Sequence, residues 1–320
     1  MKSFRDEITA SMSLSTLLSL PAFLPIRQQL LTDDFFDLST LGNVPLRDLS
    51  NTWNLPLFCM GLNRVLELRR AGEPVLYWYG PEPHQFLFRF PGKPGAKTVV
   101  ICPGGGYSLV WSPGEGYPVA ARLNQMGYNA FVVNYRVGDQ AEAPNPMDDL
   151  AAAIRYLHDH SAAFQSDLTG YAVMGFSAGG HLAASFGTES LGWRHYDLPR
   201  PGAMMLCYPV VTMGPSSEPT SRSRLLGCRL GDAAAEAAYS VEQQVTPAYP
   251  PSFLWQCDHD AVVPIENTIL LDRALTNHHV VHSYETYSGQ DHGTGLADGT
   301  AAAGWLERAI SFWERVSPAP

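Results

Sequence analysis

Ser177 sits in Gly175-Phe176-Ser177-Ala178-Gly179-Gly180, a G-x-S-x-G pattern. A serine so placed acts as a nucleophile when it tops a tight strand-to-helix turn. The turn exposes the hydroxyl and aims the first helix amides and the helix dipole at a developing oxyanion. An apolar run over 171–176 leads into Ser177, and good helix formers follow it. Such a turn holds the serine in a strained backbone region, so small residues must flank it, and Gly175 and Gly179 do. The amide of Ala178 is then one oxyanion-hole donor. A second donor must come from another loop. Pro103-Gly104-Gly105-Gly106-Tyr107 follows the apolar run over 98–102 directly, and Gly105 or Gly106 can turn an amide inward. A phosphate cradle does not fit, since no Lys follows in a G-x-x-x-x-G-K-[ST] pattern and no G-x-G-x-x-G opens a helix. The plainer alternatives are a glycine-rich turn with a surface serine and a purely structural glycine loop.

A serine nucleophile needs a base, and the base an orienting acid, in the chain order Ser, acid, His for this kind of turn. His292 lies in Gly289-Gln290-Asp291-His292-Gly293, a glycine-rich loop just past the last apolar run, where ligands bind in open α/β sheets. His181, one helical turn after Ser177, is expected to pack or cap, and His278, His279 and His282 read as surface residues around a strand. For the acid, Asp258 and Asp260 in Cys257-Asp258-His259-Asp260 both lie within reach, with Asp260 favoured. The Asp-His-Asp cluster lacks a ligand pattern on another element, so neither a metal nor any cofactor is expected.

Elements that can hold these residues follow from hydrophobic periodicity. Short apolar runs over 98–102, 129–134, 171–176, 203–208, 252–257 and 280–286 read as strands, preceded by a hairpin over 75–79 and 86–90. Helical stretches over 117–126, 147–160, 178–186, 264–276 and 301–316 alternate with them. That alternation predicts an α/β fold, a mostly parallel twisted sheet with helices on both faces, over residues 74–317. Residues 212–247 form a polar insertion of the size that often lines a site. Residues 1–73 differ: apolar positions at helical spacing are broken by Pro21, Pro25, Pro45 and Pro56. They predict a helical extension that caps the site, makes a dimer contact or packs on the flank of the main domain.

The 320 residues are 45 % hydrophobic and 16 % charged, which excludes intrinsic disorder. A chain this long buries about three quarters of its surface without help from disulfides. Net charge is −10 with only three lysines, Lys2, Lys93 and Lys97, a poor match to nucleic acid or an anionic membrane. Five cysteines without a C-x-x-C pair argue for free thiols, three of them in or at the end of apolar runs. Near the N-terminus Asp6 and Glu7 follow Arg5, and residues 12–31 are broken by Ser, Pro and Arg27. Neither a signal peptide nor a membrane span is expected, and a cytoplasmic protein is.

The residues from about 75 to 316 resemble the esterase/lipase family of the α/β-hydrolase superfamily, in its acetyl-esterase branch with xylan-esterase-like proteins. The resemblance rests on Cys102 to Tyr107 with Glu115-Gly116, on Gly175 to Ala183, on Pro250 to Trp255, on Asp260 to Asn267 and on His292-Gly293. It implies a Ser177–Asp260–His292 triad, since the acid of that branch stands three residues before the valine that precedes a proline, here Val263-Pro264. It implies short acyl esters as substrates, acetyl groups on sugars among them, with Tyr107, Trp111 and the 212–247 insertion framing an aromatic-lined site. Core packing is the plainer role for Trp111. Many relatives carry His before the triple glycine where this chain has Pro103. Two other functions share the scaffold: a prolyl-oligopeptidase-type serine peptidase, for whose propeller residues 1–73 are too few, and a non-catalytic ligand-binding protein. The expected partner is a small-molecule ester, and the acidic, sparsely charged chain is compatible with a homodimer.

Overall fold

The computed structural model describes residues 8–31, 37–49 and 54–317. Eight strands form one sheet: β1 (Leu76–Trp78), β2 (Phe86–Phe90), β3 (Ala96–Cys102), β4 (Asn129–Val133), β5 (Ser166–Phe176), β6 (Ala203–Cys207), β7 (Ser252–Cys257) and β8 (His282–Tyr287). Their order is β1-β2-β4-β3-β5-β6-β7-β8. The first two pairings are antiparallel and the other five are parallel. The central runs of β3, β4, β5, β6 and β7 are buried on both faces, and this is why each reads as continuous apolar sequence.

Alternate residues feed two cores. Val99, Ile101, Met174 and Met205 face α2 (Tyr117–Met126) and α8 (Trp305–Val316), together with the N-terminal helix α1 (Leu55–Arg70). Val100, Val173, Met204 and Leu254 face α3 (Asn145–Asp159), α4 (Ser177–Gly187) and α7 (Glu266–Asn277). Two short helices, α5 (Pro219–Leu226) and α6 (Ala233–Tyr239), lie within the 212–247 insertion.

The extension packs as a flanking layer on the α2 side. A Cβ at Gly61 would stand 2.7 Å from the Pro118 nitrogen, so α1 and α2 meet nearly backbone to backbone. The Tyr117 hydroxyl also donates to the Leu30 carbonyl at 3.0 Å. Residues 1–7, 32–36 and 50–53 of the extension lie outside the described set. Among the described residues no helix is long and apolar enough to cross a membrane.

Parallel register brings the carboxyl ends of the strands to one edge. Cys102 of β3 pairs with Gly175 of β5, Phe176 with Cys207 of β6, and Cys257 of β7 with Tyr287 of β8. The glycine loop, Ser177, the Asp258–Asp260 loop and the His292 loop therefore leave the sheet side by side.

Candidate active site

Ser177 directly follows β5 and opens α4 with φ +52°, a strained value for a residue with a side chain. The two flanking glycines are obligatory. A Cβ at Gly175 would lie 2.2 Å from the Gly179 carbonyl oxygen, and one at Gly179 would lie 2.2 Å from those of Cys102 and Pro103. Helix α4 is thereby pressed against both β5 and the glycine loop. Tyr107 (φ +54°) and Tyr208 (φ +38°), which follow β3 and β6, are strained in the same way.

His292 Nε2 stands 2.9 Å from Ser177 Oγ, and His292 Nδ1 stands 2.8 Å from Asp260 Oδ2. The Asp260 side chain is fully buried, whereas that of His292 is 11 % exposed. Asp260 Oδ1 accepts from the Val262 and Val263 amides, each at 2.9 Å, and Oδ2 accepts from Gln256 Nε2 at 3.2 Å. These donors lock the carboxylate. Because it can only accept, the imidazole carries its proton on Nδ1 and leaves Nε2 free to accept from Ser177. Asp258 is not in this line: it accepts from the Gly289 amide at 2.9 Å and the Ser288 hydroxyl at 3.2 Å. The Gly289 amide holds its carboxyl below the usual value.

The glycine loop is anchored at two points. Tyr135 donates its hydroxyl to the Pro103 carbonyl at 2.5 Å, and the Gly104 amide donates to Glu115 Oε2 at 2.6 Å. Gly105 and Gly106 take φ +127° and +62°, and neither amide donates a hydrogen bond among the described residues. The Ala178 amide lies in the first turn of α4, where no intrahelical acceptor exists.

Around Ser177 and His292 lies a cleft of about 450 Å³. Gly105, Gly106, Leu109 and Trp111 from the glycine loop and the residues after it line the cleft, with Val262, Gly293, and Glu218 and Thr220 of the insertion. Glu218 caps α5, accepting from the Thr220 amide (2.8 Å) and the Ser221 amide (2.7 Å) and hydroxyl (2.6 Å). Partial burial raises its carboxyl, but these donors together hold it below its ordinary value. The cleft thus carries a fixed carboxylate in its lining, and no Lys or Arg lines it among the described residues.

Tyr107 is not where the sequence suggested. Its left-handed backbone sends the ring into the core, where its hydroxyl donates to His181 Nδ1 at 2.9 Å. His181 Nε2 donates in turn to the Tyr239 carbonyl at 2.8 Å, and burial lowers the His181 pKa to about 4. Tyr107 therefore ties the glycine loop to α4 and to the end of α6, and lines no part of the cleft. Trp111 does line it. Glu115, which the sequence offers only as part of a matching stretch, is a buried carboxylate behind the glycine loop. Its one sequence signal is a lone acid between two glycines, Gly114 and Gly116, in a chain poor in charge.

A family model described as BD-FAE matches residues 90–192, from the end of β2 past Ser177. An acetylxylan esterase of Xylanibacter ruminicola is 30 % identical over 240 residues, 74 % of this chain and 49 % of that protein. Endo-1,4-beta-xylanase B of Butyrivibrio fibrisolvens is 30 % identical over 237 residues, 71 % of this chain and 37 % of that protein. The chain thus spans half or less of the length of these two curated relatives. Among solved structures, an acetyl ester-xyloside bifunctional hydrolase from Caldicellulosiruptor lactoaceticus superposes with a TM-score of 0.66 at 31 % identity. That match covers 73 % of this chain and 89 % of the other.

Proposed function

The chain belongs to the esterase/lipase family of the α/β-hydrolase superfamily, and we propose that it is a serine carboxylic ester hydrolase for short acyl, chiefly acetyl, esters of carbohydrates. The observation that carries this reading is the unbroken line Asp260–His292–Ser177, at 2.8 and 2.9 Å, opening onto the cleft.

Ser177 Oγ attacks the ester carbonyl carbon while His292 Nε2 takes its proton. The amide of Ala178, with that of Gly105 or Gly106, meets the charge forming on the carbonyl oxygen. One such donor is typically worth about 3–4 kcal/mol in the transition state. As the tetrahedral intermediate collapses, Nε2–H protonates the leaving alcohol and the acyl group stays on Ser177. Water, deprotonated by His292, then attacks the acyl carbon and frees the acid and the serine. Throughout, Asp260 holds Nδ1–H and stabilises the imidazolium. Apart from that water, this chemistry draws on side chains and amides of the chain.

The acetyl-carbohydrate assignment is supported by the names of two of the relatives, one an acetylxylan esterase and one an acetyl ester-xyloside hydrolase. Trp111 lines the cleft, and an aromatic side chain there is in keeping with a carbohydrate substrate. The Glu218 carboxylate, with no Lys or Arg among the described lining residues, favours neutral alcohols over acidic ones.

The test is hydrolysis of p-nitrophenyl esters from acetate to decanoate by the wild type and Ser177→Ala, followed by acetate release from acetylated xylo-oligosaccharides. Acetate is expected to turn over fastest, and Ser177→Ala to lose about 10⁴-fold or more in kcat. Methyl 4-acetoxybenzoate is expected to outrun its anionic free acid. A wild type inert toward the whole series would overturn the reading.

A further inference from the structure

Glu115 is 2 % exposed, and no Lys or Arg pairs with it among the described residues. It lies on a single π-type turn, Ser112–Gly116, that leads into α2. Its Oε2 accepts from the Gly104 amide at 2.6 Å, and its Oε1 accepts from the Tyr208 hydroxyl at 2.9 Å. The Tyr208 oxygen accepts in turn from the Gly295 amide at 3.0 Å, three residues past His292, and the Tyr208 ring lies 4.7 Å from the His292 ring. A Cβ on Gly104 would stand 2.8 Å from both Glu115 Oε2 and Ser177 Cβ. One buried carboxylate thus sits behind the nucleophile and bridges the glycine loop to the histidine loop.

Burying an ionised acid without a cation is costly unless hydrogen bonds donated to it compensate. Both of its hydrogen bonds are donated to the carboxylate, which favours the ionised form. We infer that Glu115 is a positioning residue that also acts through its charge. It sets the glycine loop against the histidine loop and stabilises the His292 imidazolium formed in turnover. This rests on the triad reading above. Burial holds the Glu115 carboxyl above its ordinary value, and the Gly104 amide, the His292 charge and the Tyr208 hydroxyl offset part of that rise. A carboxylate facing an imidazole favours its charged form over the neutral one. The other groups facing His292 are Asp260 from the loop after β7, Ser177 from the nucleophile turn and Tyr208 after β6, with Asp291 as its chain neighbour.

The experiment is the pH profile of p-nitrophenyl acetate hydrolysis by wild type, Glu115→Gln and Glu115→Asp. Gln removes the charge at nearly the same shape. Its acidic limb in kcat/KM is expected about one unit lower, with kcat down about tenfold and KM changed far less. Asp keeps the charge on a shorter stem, and its limb is expected at the wild-type position. A folded Glu115→Gln with an unmoved limb and kcat within twofold of wild type would reduce Glu115 to a spacer. If Gln does not fold, a limb that falls in Glu115→Asp, where the charge is kept, overturns the inference equally. A wild type with no esterase activity would instead refute the triad reading, so the two failures are distinguishable.

Discussion

Two aspartates two residues apart compete for the role of acid, and their hydrogen bonds separate them. Asp260 faces His292 from a locked, fully buried position, whereas Asp258 spends its carboxylate on the Gly289 amide and the Ser288 hydroxyl. Asp260→Asn can still accept from the Val262 and Val263 amides, but its amide nitrogen then faces Nδ1 and selects the wrong tautomer. Its kcat on p-nitrophenyl acetate is expected to fall about 10⁴-fold with melting temperature nearly unchanged. Asp258→Asn is expected to stay within about tenfold of wild type, since it loosens a loop and leaves the imidazole its partner. Steady-state kinetics and a thermal melt of each variant check this pair, and the reverse ranking would assign the acid to Asp258. The nucleophile, base and acid candidates are legible in the sequence because their types and order are chemically restrictive. Tyr107 is not, because the direction of its ring is set by a left-handed backbone that residue types do not announce. Glu115 is hidden because its partner Tyr208 lies 93 positions away in the chain.

At the scale of elements, the runs that read as strands are those buried on both faces, where apolar sequence is continuous. The first half of β5 escapes that reading. Ser166 and Asp167 pair with Ala96 and Lys97 at the half-buried end of the sheet, where nothing demands apolar residues. Strand β8, at the sheet edge, holds no fully buried residue and begins two positions later than its apolar pattern suggests. The last helix starts at Trp305 rather than near 301, because Gly304 takes φ +79° and stops the helix from extending backward. The first 73 residues are legible as helical, but their packing partner is not. It depends on Gly61 letting α1 approach the start of α2, a contact between segments more than 50 residues apart. The Pro103 departure has a local answer: the loop is held by Tyr135 on the Pro103 carbonyl and by Glu115 on the Gly104 amide.

For the whole molecule, acid stability follows from His181, which joins the nucleophile helix to the glycine loop and to α6. Burial lowers its pKa from 6.5 to about 4, so the folded protein keeps it neutral where the unfolded chain protonates it. Its contribution is complete above pH 6.5 and is lost as pH falls through about 4, a change of about 3 kcal/mol. Urea unfolding at pH 7 and pH 4 is expected to show His181→Gln losing about 3 kcal/mol less than wild type over that interval; equal losses would mean that His181 is already protonated in the fold. The catalytic cycle above begins with Ser177 as an activated nucleophile, and the most direct test is mass spectrometry of the intact protein and its peptides after treatment with a fluorophosphonate. One adduct per chain on the Ser177 peptide, slowed strongly in His292→Ala, is the expected result. No adduct, or an adduct on another residue, would contradict it.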